Sequence, residues 1–410
     1  MKPVWLHYAN LFVSKRMYCK VVYADFYWPA CPAARLDLHM TPNELLKQEK
    51  QALIQQYAIR NNIFALYQVL TTVVPYFALF YFAIVSQSIS YWLSAACIAL
   101  LVLFIMRVFM MMHDAGHGCL FVSPWQNRVV GFIMGVLCGV PEYVWSKHHA
   151  YHHATNGNWN KYRGPLAVLS TKEFAQLSDK KRKAYENSRN ILLAPFAGFM
   201  YFIFTPRFTW LKGSLQFVMF AFKAKRAAPS KSLAIIADEF ETKYWAGWKE
   251  YRHMAANNLT LISLIVLGCL YFGIGPFMLV YLIALSVSGG LGIILFTVQH
   301  NFEGAYATGD EGWDYNTAAI EGTSYLDLPR VLHWFTADIG YHHVHHLSAR
   351  IPNYQLRQCH EANPHLFSQV PRLQLKDILS SFKYILWDES SGTLMTVAQF
   401  NQLNTGALPN

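Results

Sequence analysis

Two stretches of this chain, Asn61 to Met106 and Asn257 to Gln299, contain no Lys, Arg, Asp, Glu or His. An α-helix as long as the first would reach about 70 Å, against a hydrocarbon core of about 30 Å, so each stretch is read as two membrane spans. Ser86-Gln87-Ser88 marks the break in the first and Gly273-Ile274-Gly275-Pro276 the break in the second. Spans are expected at about 63–85, 89–109, 258–273 and 276–298. Because every charge is excluded from these stretches, both hairpin tips are expected to face away from the cytoplasm, with both termini and the active site inside.

The composition agrees. Hydrophobic residues make up 54% of the chain, above the roughly 45–50% of soluble proteins. The net charge of +10 suits an anionic membrane surface or an acidic protein partner. No base-reading motif accompanies it, so nucleic acid is set aside. The seven cysteines form no CxxC pair, which removes zinc ribbons, iron–sulfur clusters and a disulfide framework. The expected fold class is an all-α integral membrane protein, with four transmembrane helices in two hairpins and a helical cytoplasmic cap.

Around the hairpins at 61–109 and 257–299 lie four further regions. Residues 1–40 are aromatic and aperiodic, and are expected to be dispensable, or to precede a true start at Met40. Thr41-Pro42-Asn43-Glu44 reads as a capping box with proline at the first helical position, opening an amphipathic helix over 41–60 on the membrane surface. Residues 110–256 and 300–410 form the cap. Within it, Val129 to Val140 is apolar but too short to cross, so it is expected to be re-entrant or interfacial. Ile191 to Phe222 is broken by Pro195, Pro206, Arg207 and Lys212 and is expected in the interface, with a third hairpin as the alternative.

Histidines gather at the cytoplasmic ends of the spans. His113 and His117 are i and i+4 just past the second span, and His300 follows the fourth. His148-His149-Ala150-Tyr151-His152-His153 and His342-His343-Val344-His345-His346 each place i, i+3 and i+4 positions on one helix face. The candidate metal ligands are therefore His113, His117, His149, His152, His153, His300, His342, His345 and His346. Nine imidazoles exceed what one ion holds and suit two. Structural zinc favours Cys, calcium and magnesium favour carboxylates, and neutral imidazole with open positions suits iron in oxygen chemistry, so two non-haem iron ions are expected. Asp114, Glu303 and Asp338 are candidates to accept the ligands' other N–H. His148 and His343 point off the ligand faces, and His7, His39, His253, His333, His360 and His365 default to structural or solvated roles. No catalytic residue beyond the ligands is singled out.

At these residues the chain resembles the membrane fatty acid desaturase family. HDAGH, HAYHH and HHVHH match its HxxxH, HxxHH and HxxHH boxes at 113–117, 149–153 and 342–346, and its additional histidine before the last box would be His300. The resemblance runs from about Tyr57 to Phe367, and HNFEGAY from His300 and GYHHVHHLSARIPNY from Gly340 are similar to the acyl-lipid branch. The chain departs from related branches in three ways. The last box begins with His342 rather than Gln, no HPGG haem motif occurs, and the first box lacks HxxxxH spacing. These features set it apart from front-end enzymes with fused cytochrome b5 and from the acyl-CoA delta-9 branch.

The resemblance implies that dioxygen and two electrons are used to remove hydrogen from adjacent methylenes of a membrane-lipid acyl chain, leaving a cis double bond, omega-6/delta-12-like. With no flavin, haem or iron–sulfur motif visible, electrons must come from an external donor such as ferredoxin or cytochrome b5. The basic residues Lys181, Arg182, Lys183, Lys223, Lys225 and Arg226 are candidates to steer it, or to contact lipid. Acyl hydroxylation, acetylenation or epoxidation and carotenoid oxygenation are alternatives on the same scaffold. A divalent-metal transporter is a remote one, because the spans carry no ionisable residue near the midplane.

Overall fold

The computed structural model describes residues 41–405; the expectations for 1–40 lie outside the described residues. The capping box at Thr41 forms as read, with the Glu44 carboxylate accepting from Thr41 N at 2.8 Å. It opens α1, Pro42–Tyr57. The apolar face of this helix, Leu46, Leu53 and Tyr57, is buried, and Lys47, Lys50 and Asn43 reach Asp314, Asn316 and Thr317 of the cap. The surface helix of the sequence expectation is thus clasped to protein on its apolar side.

Next come α2, Asn62–Val85, and α3, Tyr91–Gly116, joined at Ser86–Ser88 where the polar break was expected. The third helix continues about two turns past its expected end at 109, carrying His113 onto the cap. The second hairpin is α7, Trp248–Phe272, and α8, Ile274–His300. Gln87 Nε2 donates to the Pro276 carbonyl at 3.1 Å, which brings the two hairpin tips together at one end of the molecule.

Between the hairpins, α4, Pro124–Cys138, and α5, Glu142–Thr155, meet at a 99° bend. A helix as short as α4 reaches about 22 Å, less than the hydrocarbon core. Its end lies level with the middle of α2, where Tyr76 Oη donates to the Leu137 carbonyl at 3.2 Å. The helical run α6, Ile191–Ala227, contains a π-helical segment, Phe199–Phe204. Among the described residues five helices are long and apolar enough to cross a membrane: α2, α3, α6, α7 and α8. The four-span count therefore does not follow from length and composition, since α6 qualifies too.

The cap is not wholly helical as expected. β1, Leu169–Ser170, runs parallel to β4, Tyr384–Asp388, which pairs antiparallel with β5, Thr393–Thr396; β2, Tyr325–Asp327, runs parallel to β3, Arg372–Gln374. The larger sheet has its own apolar core, including Trp159, Phe174, Phe302, Leu386 and Leu394. It braces the end of α8, because Asn301 Nδ2, one residue after His300, donates to the Tyr384 carbonyl at 2.9 Å.

Candidate metal centre

Four helices deliver the histidines. The C-terminal turn of α3 brings His113 and His117, α5 brings His149, His152 and His153, and the last residue of α8 is His300. A short, wholly buried helix, α9, His342–Leu347, supplies the rest. Close packing of α5 on α3 depends on Gly116 within the first box, where a Cβ would stand 2.3 Å from Ser146 Oγ. The chain enters α9 through Ala337 and Asp338, both left-handed at φ 49° and 55°, a costly conformation for non-glycine residues.

All nine expected residues converge, and they do so as two groups. His113, His117, His149, His153 and His345 form one, and His152, His300, His342 and His346 the other; the ligand nitrogens of each group lie within 4.8 Å of one another. Neither α5 nor α9 serves one group alone. His149 and His153 point into the first group and His152 into the second, while His345 joins the first and His342 and His346 the second. His148, by contrast, is exposed. His343 turns away to meet His360, Nε2 to Nδ1, at 2.8 Å.

The nitrogens are spaced as metal ligands would be. His153 and His149 Nε2 are 3.1 Å apart, His152 and His346 Nε2 3.2 Å, and His342 and His300 Nε2 3.0 Å. Two nitrogens about 2.1 Å from one ion at right angles are about 3 Å apart. In the first group, His117 Nε2 and His345 Nε2 are buried without any hydrogen-bond partner, a costly state that a bound cation relieves. Burial and neighbouring imidazoles hold His117, His149, His152, His153, His342, His345 and His346 well below the usual histidine range. They are therefore neutral at pH 7, the form that binds metal.

Asp114 is where the expectation put it. Its Oδ1 lies 2.9 Å from His113 Nδ1, and its Oδ2 accepts from Asn353 N and Nδ2, both at 2.8 Å. Asn353 opens α10, Asn353–Ala362, so the carboxylate also sits at a helix N-terminus. The other two acidic candidates have different partners. Asp338 pairs with His333 Nδ1 at 3.4 Å, and burial lifts its carboxyl to about 6. Glu303 is exposed and meets Tyr384. Neither pairs with one of the nine imidazoles.

Sequence reasoning missed several neighbours. The Gly322 carbonyl lies 3.2 Å from His300 Nδ1, and a backbone acceptor leaves no sequence signal. Asn353 is one more Asn after a proline. Trp145 stacks on His149 at 4.4 Å, four residues earlier on the same helix, a spacing that was visible. Phe296 touches both groups, with ring centroids 6.4 Å from His149, 4.9 Å from His152 and 5.0 Å from His300.

A family model described as fatty acid desaturase matches residues 86–375, a range that holds all nine histidines. The chain belongs to the fatty acid desaturase family. It is accordingly an oxygen-dependent oxidoreductase acting on lipid acyl chains, with several apolar helices that could cross a membrane. Among curated proteins it is 34% identical over 355 residues to a fatty acid desaturase of Bacillus subtilis (strain 168), covering 86% of this chain and 92% of that one. Two chloroplastic omega-3 fatty acid desaturases are more distant. That of Sesamum indicum is 26% identical, covering 62% of this chain and 51% of its own length; that of Ricinus communis is 24% identical, covering 62% and 50%.

Proposed function

We propose that this chain introduces a cis double bond into an acyl chain of a membrane lipid, at two non-haem iron ions held by the five-histidine and four-histidine groups. The observation that carries this is the partition of nine buried or half-buried imidazoles into two ligand sets at the ends of apolar helices. Iron bound there supplies the activation of dioxygen needed to take hydrogen from an unactivated methylene. The protein supplies placement. Asp114 and the Gly322 carbonyl each accept from an Nδ1–H, fixing the tautomer that leaves Nε2 of His113 and His300 free. Phe296, half-buried between the groups, offers an apolar wall against which an acyl chain can lie. A saturated chain has no polar handle near its reacting carbons, so the depth of the apolar path sets the position of the double bond.

The proposed topology is four spans with the histidines and both termini on the cytoplasmic side. Several contacts of α6 favour the interface over a crossing. Near its start, Gly198 packs on the backbone of Ser286 and Gly290, at the middle of α8. Further on, Gly213 packs on Trp245, and Phe217 lies 4.8 Å from Trp248 at the opening of α7. The run thus goes from mid-helix back to the cap side of the hairpin, and none of these contacts reaches the tips joined at the other end.

Expression in a host that makes only saturated and monounsaturated lipids, followed by gas chromatography–mass spectrometry, tests the function. A new diene is the expected product, omega-6/delta-12-like from the sequence resemblance; an omega-3 bond would follow the names of the two plant relatives. A hydroxy acid would move the assignment to an acyl hydroxylase. Substituting His149→Ala or His345→Ala should abolish the product and lower bound iron, whereas His365→Ala, at an exposed residue 3.3 Å from Glu49, should do neither.

A further inference from the structure

The helix that carries His149, His152 and His153 has a second, outward face. On it Tyr143 is a hub: its ring stacks on His253 at 4.4 Å and lies under Lys147 at 5.3 Å and Lys249 at 4.9 Å. Lys147, His148, Lys249 and Arg252 are all exposed. The nearby carboxylate, Glu250, is buried and already engaged, accepting from Lys147 Nζ at 2.6 Å and from Ala246 N at 2.7 Å. That ion pair ties α5 to α7 and gathers the cations on one surface.

Between Tyr143 and Lys147 in the chain, on another face of the same helix, is Trp145. Its indole stacks on His149 at 4.4 Å and 19°, lies 5.7 Å from His113, and donates Nε1–H to Tyr201 Oη at 2.7 Å. This half-exposed ring, two residues from both Tyr143 and Lys147 in the chain, thus reaches two members of the five-histidine group.

We infer that a soluble acidic electron-transfer protein docks on the outer face of α5, around Lys147, His148, Lys249 and Arg252, and that Trp145 leads its electrons to the five-histidine group. This rests on the desaturase reading. Removing two hydrogens from the acyl chain yields two electrons and two protons, whereas reducing dioxygen to two waters takes four of each. Two electrons from the donor and two solvent protons close the balance, and no bond forms or breaks in the relay. Electron transfer weakens steeply with distance, so the entry point belongs where exposed positive charge and an aromatic path to the ligands coincide. A negatively charged donor is both steered and oriented by such a patch. The basic run at 180–183 has no such path among its described contacts.

The test uses the full, iron-loaded chain in neutral phosphatidylcholine nanodiscs, with reduced plant-type [2Fe–2S] ferredoxin as the probe. The combined variant His148→Glu, Lys249→Glu and Arg252→Glu leaves the Lys147–Glu250 pair intact. At low ionic strength it should raise the KM for ferredoxin by about tenfold or more with kcat unchanged. Ferredoxin binding by interferometry, without lipid substrate, should weaken in parallel, and carbodiimide cross-links in the unsubstituted protein should map to Lys147 or Lys249. Lys181→Glu with Lys183→Glu should leave all three unchanged. Trp145→Leu should slow reduction of iron by bound ferredoxin while its iron content and reduction by dithionite stay the same, and Trp145→Phe should restore part of the rate.

Unchanged ferredoxin KM and binding in the triple variant, or cross-links at 180–183, would overturn the docking site. So would loss of affinity for phosphatidylglycerol vesicles alone, which would make the patch a lipid contact. Equal reduction rates in Trp145→Leu would overturn the relay. The desaturase reading fails separately, if the dithionite-reduced, unsubstituted protein forms no double bond in a single turnover; binding and cross-linking are read without that step.

Discussion

Asp114 joins three parts of the molecule through three contacts of its carboxylate and a fourth relayed by Asn353. It sits on α3, holds His113, and receives both donors of Asn353, whose own Oδ1 accepts from Gln68 on α2 at 2.8 Å. Asp114→Asn turns an acceptor-only group into one that must present an amide N–H to His113 or to Asn353. Loss of such an outer partner costs about 10–100-fold in metal affinity or activity, so iron per protein and product formation should fall together by that order. Asp338→Asn, which touches His333, should keep its iron. The same buried imidazoles set the pH response. Because folding lowers their affinity for protons, the unfolded chain binds more protons below about pH 6.5, and stability falls as pH falls. Thermal unfolding of the metal-free protein should therefore shift downward between about pH 7 and about pH 5, and iron should leave in the same direction. A protein equally stable at both would contradict the burial of the cluster.

At the scale of elements, the crossing of α6 and α8 has little room to give. A Cβ on Gly290 would stand 2.7 Å from the backbone of Ala194, and one on Gly198 would stand 2.2 Å from Gly290 N. Here backbone meets backbone, so no side chain can turn aside. Gly290→Leu should cost about 1–3 kcal/mol or more, read as a lowered unfolding temperature in detergent. Gly275→Leu, where a Cβ meets nothing within 4 Å, should be near neutral. The small sheet is an element that sequence reading passed over, although its signal is present. Tyr384-Ile385-Leu386-Trp387 and Thr393-Leu394-Met395-Thr396 are short apolar runs separated by Asp388-Glu389-Ser390-Ser391-Gly392, with the Asp388 carboxylate accepting from Ser390 N and Ser391 N at 3.2 Å. The pairing of β4 with β1 spans more than two hundred residues, and no local pattern announces a contact of that range.

For the whole molecule, the four-span proposal makes a sidedness prediction. In membrane vesicles of known orientation, a cysteine placed at Ser88 or Gly275 should react with an impermeant maleimide from the face opposite to one placed at Ser188 or Lys225. Labelling of Ser88→Cys and Lys225→Cys from the same face would instead make α6 a fifth span. The two outcomes also differ for the electron donor, since it requires α5 and the cap to face the compartment that holds it.

What the sequence by itself determined was local or periodic. Exclusion of charge marked the two hairpins, because a helix in hydrocarbon cannot carry unpaired charge without a large penalty. Spacing of i, i+3 and i+4 chose His149, His152 and His153 over His148, and His342, His345 and His346 over His343, because one helix face is fixed by the turn alone. Adjacent position suggested Asp114, which lies beside His113, and also Glu303 and Asp338, which have other partners in the fold. The division of nine histidines into five and four was left to the tertiary structure, along with the Asn353 and Gly322 contacts and the bend that brings α5 back over the site. His152 and His153, consecutive on α5, point about 100° apart, yet both fall within the arc that faces the other histidine helices. Which group each joins depends on how α3, α5, α8 and α9 cross, and that is set by packing between segments far apart in the chain.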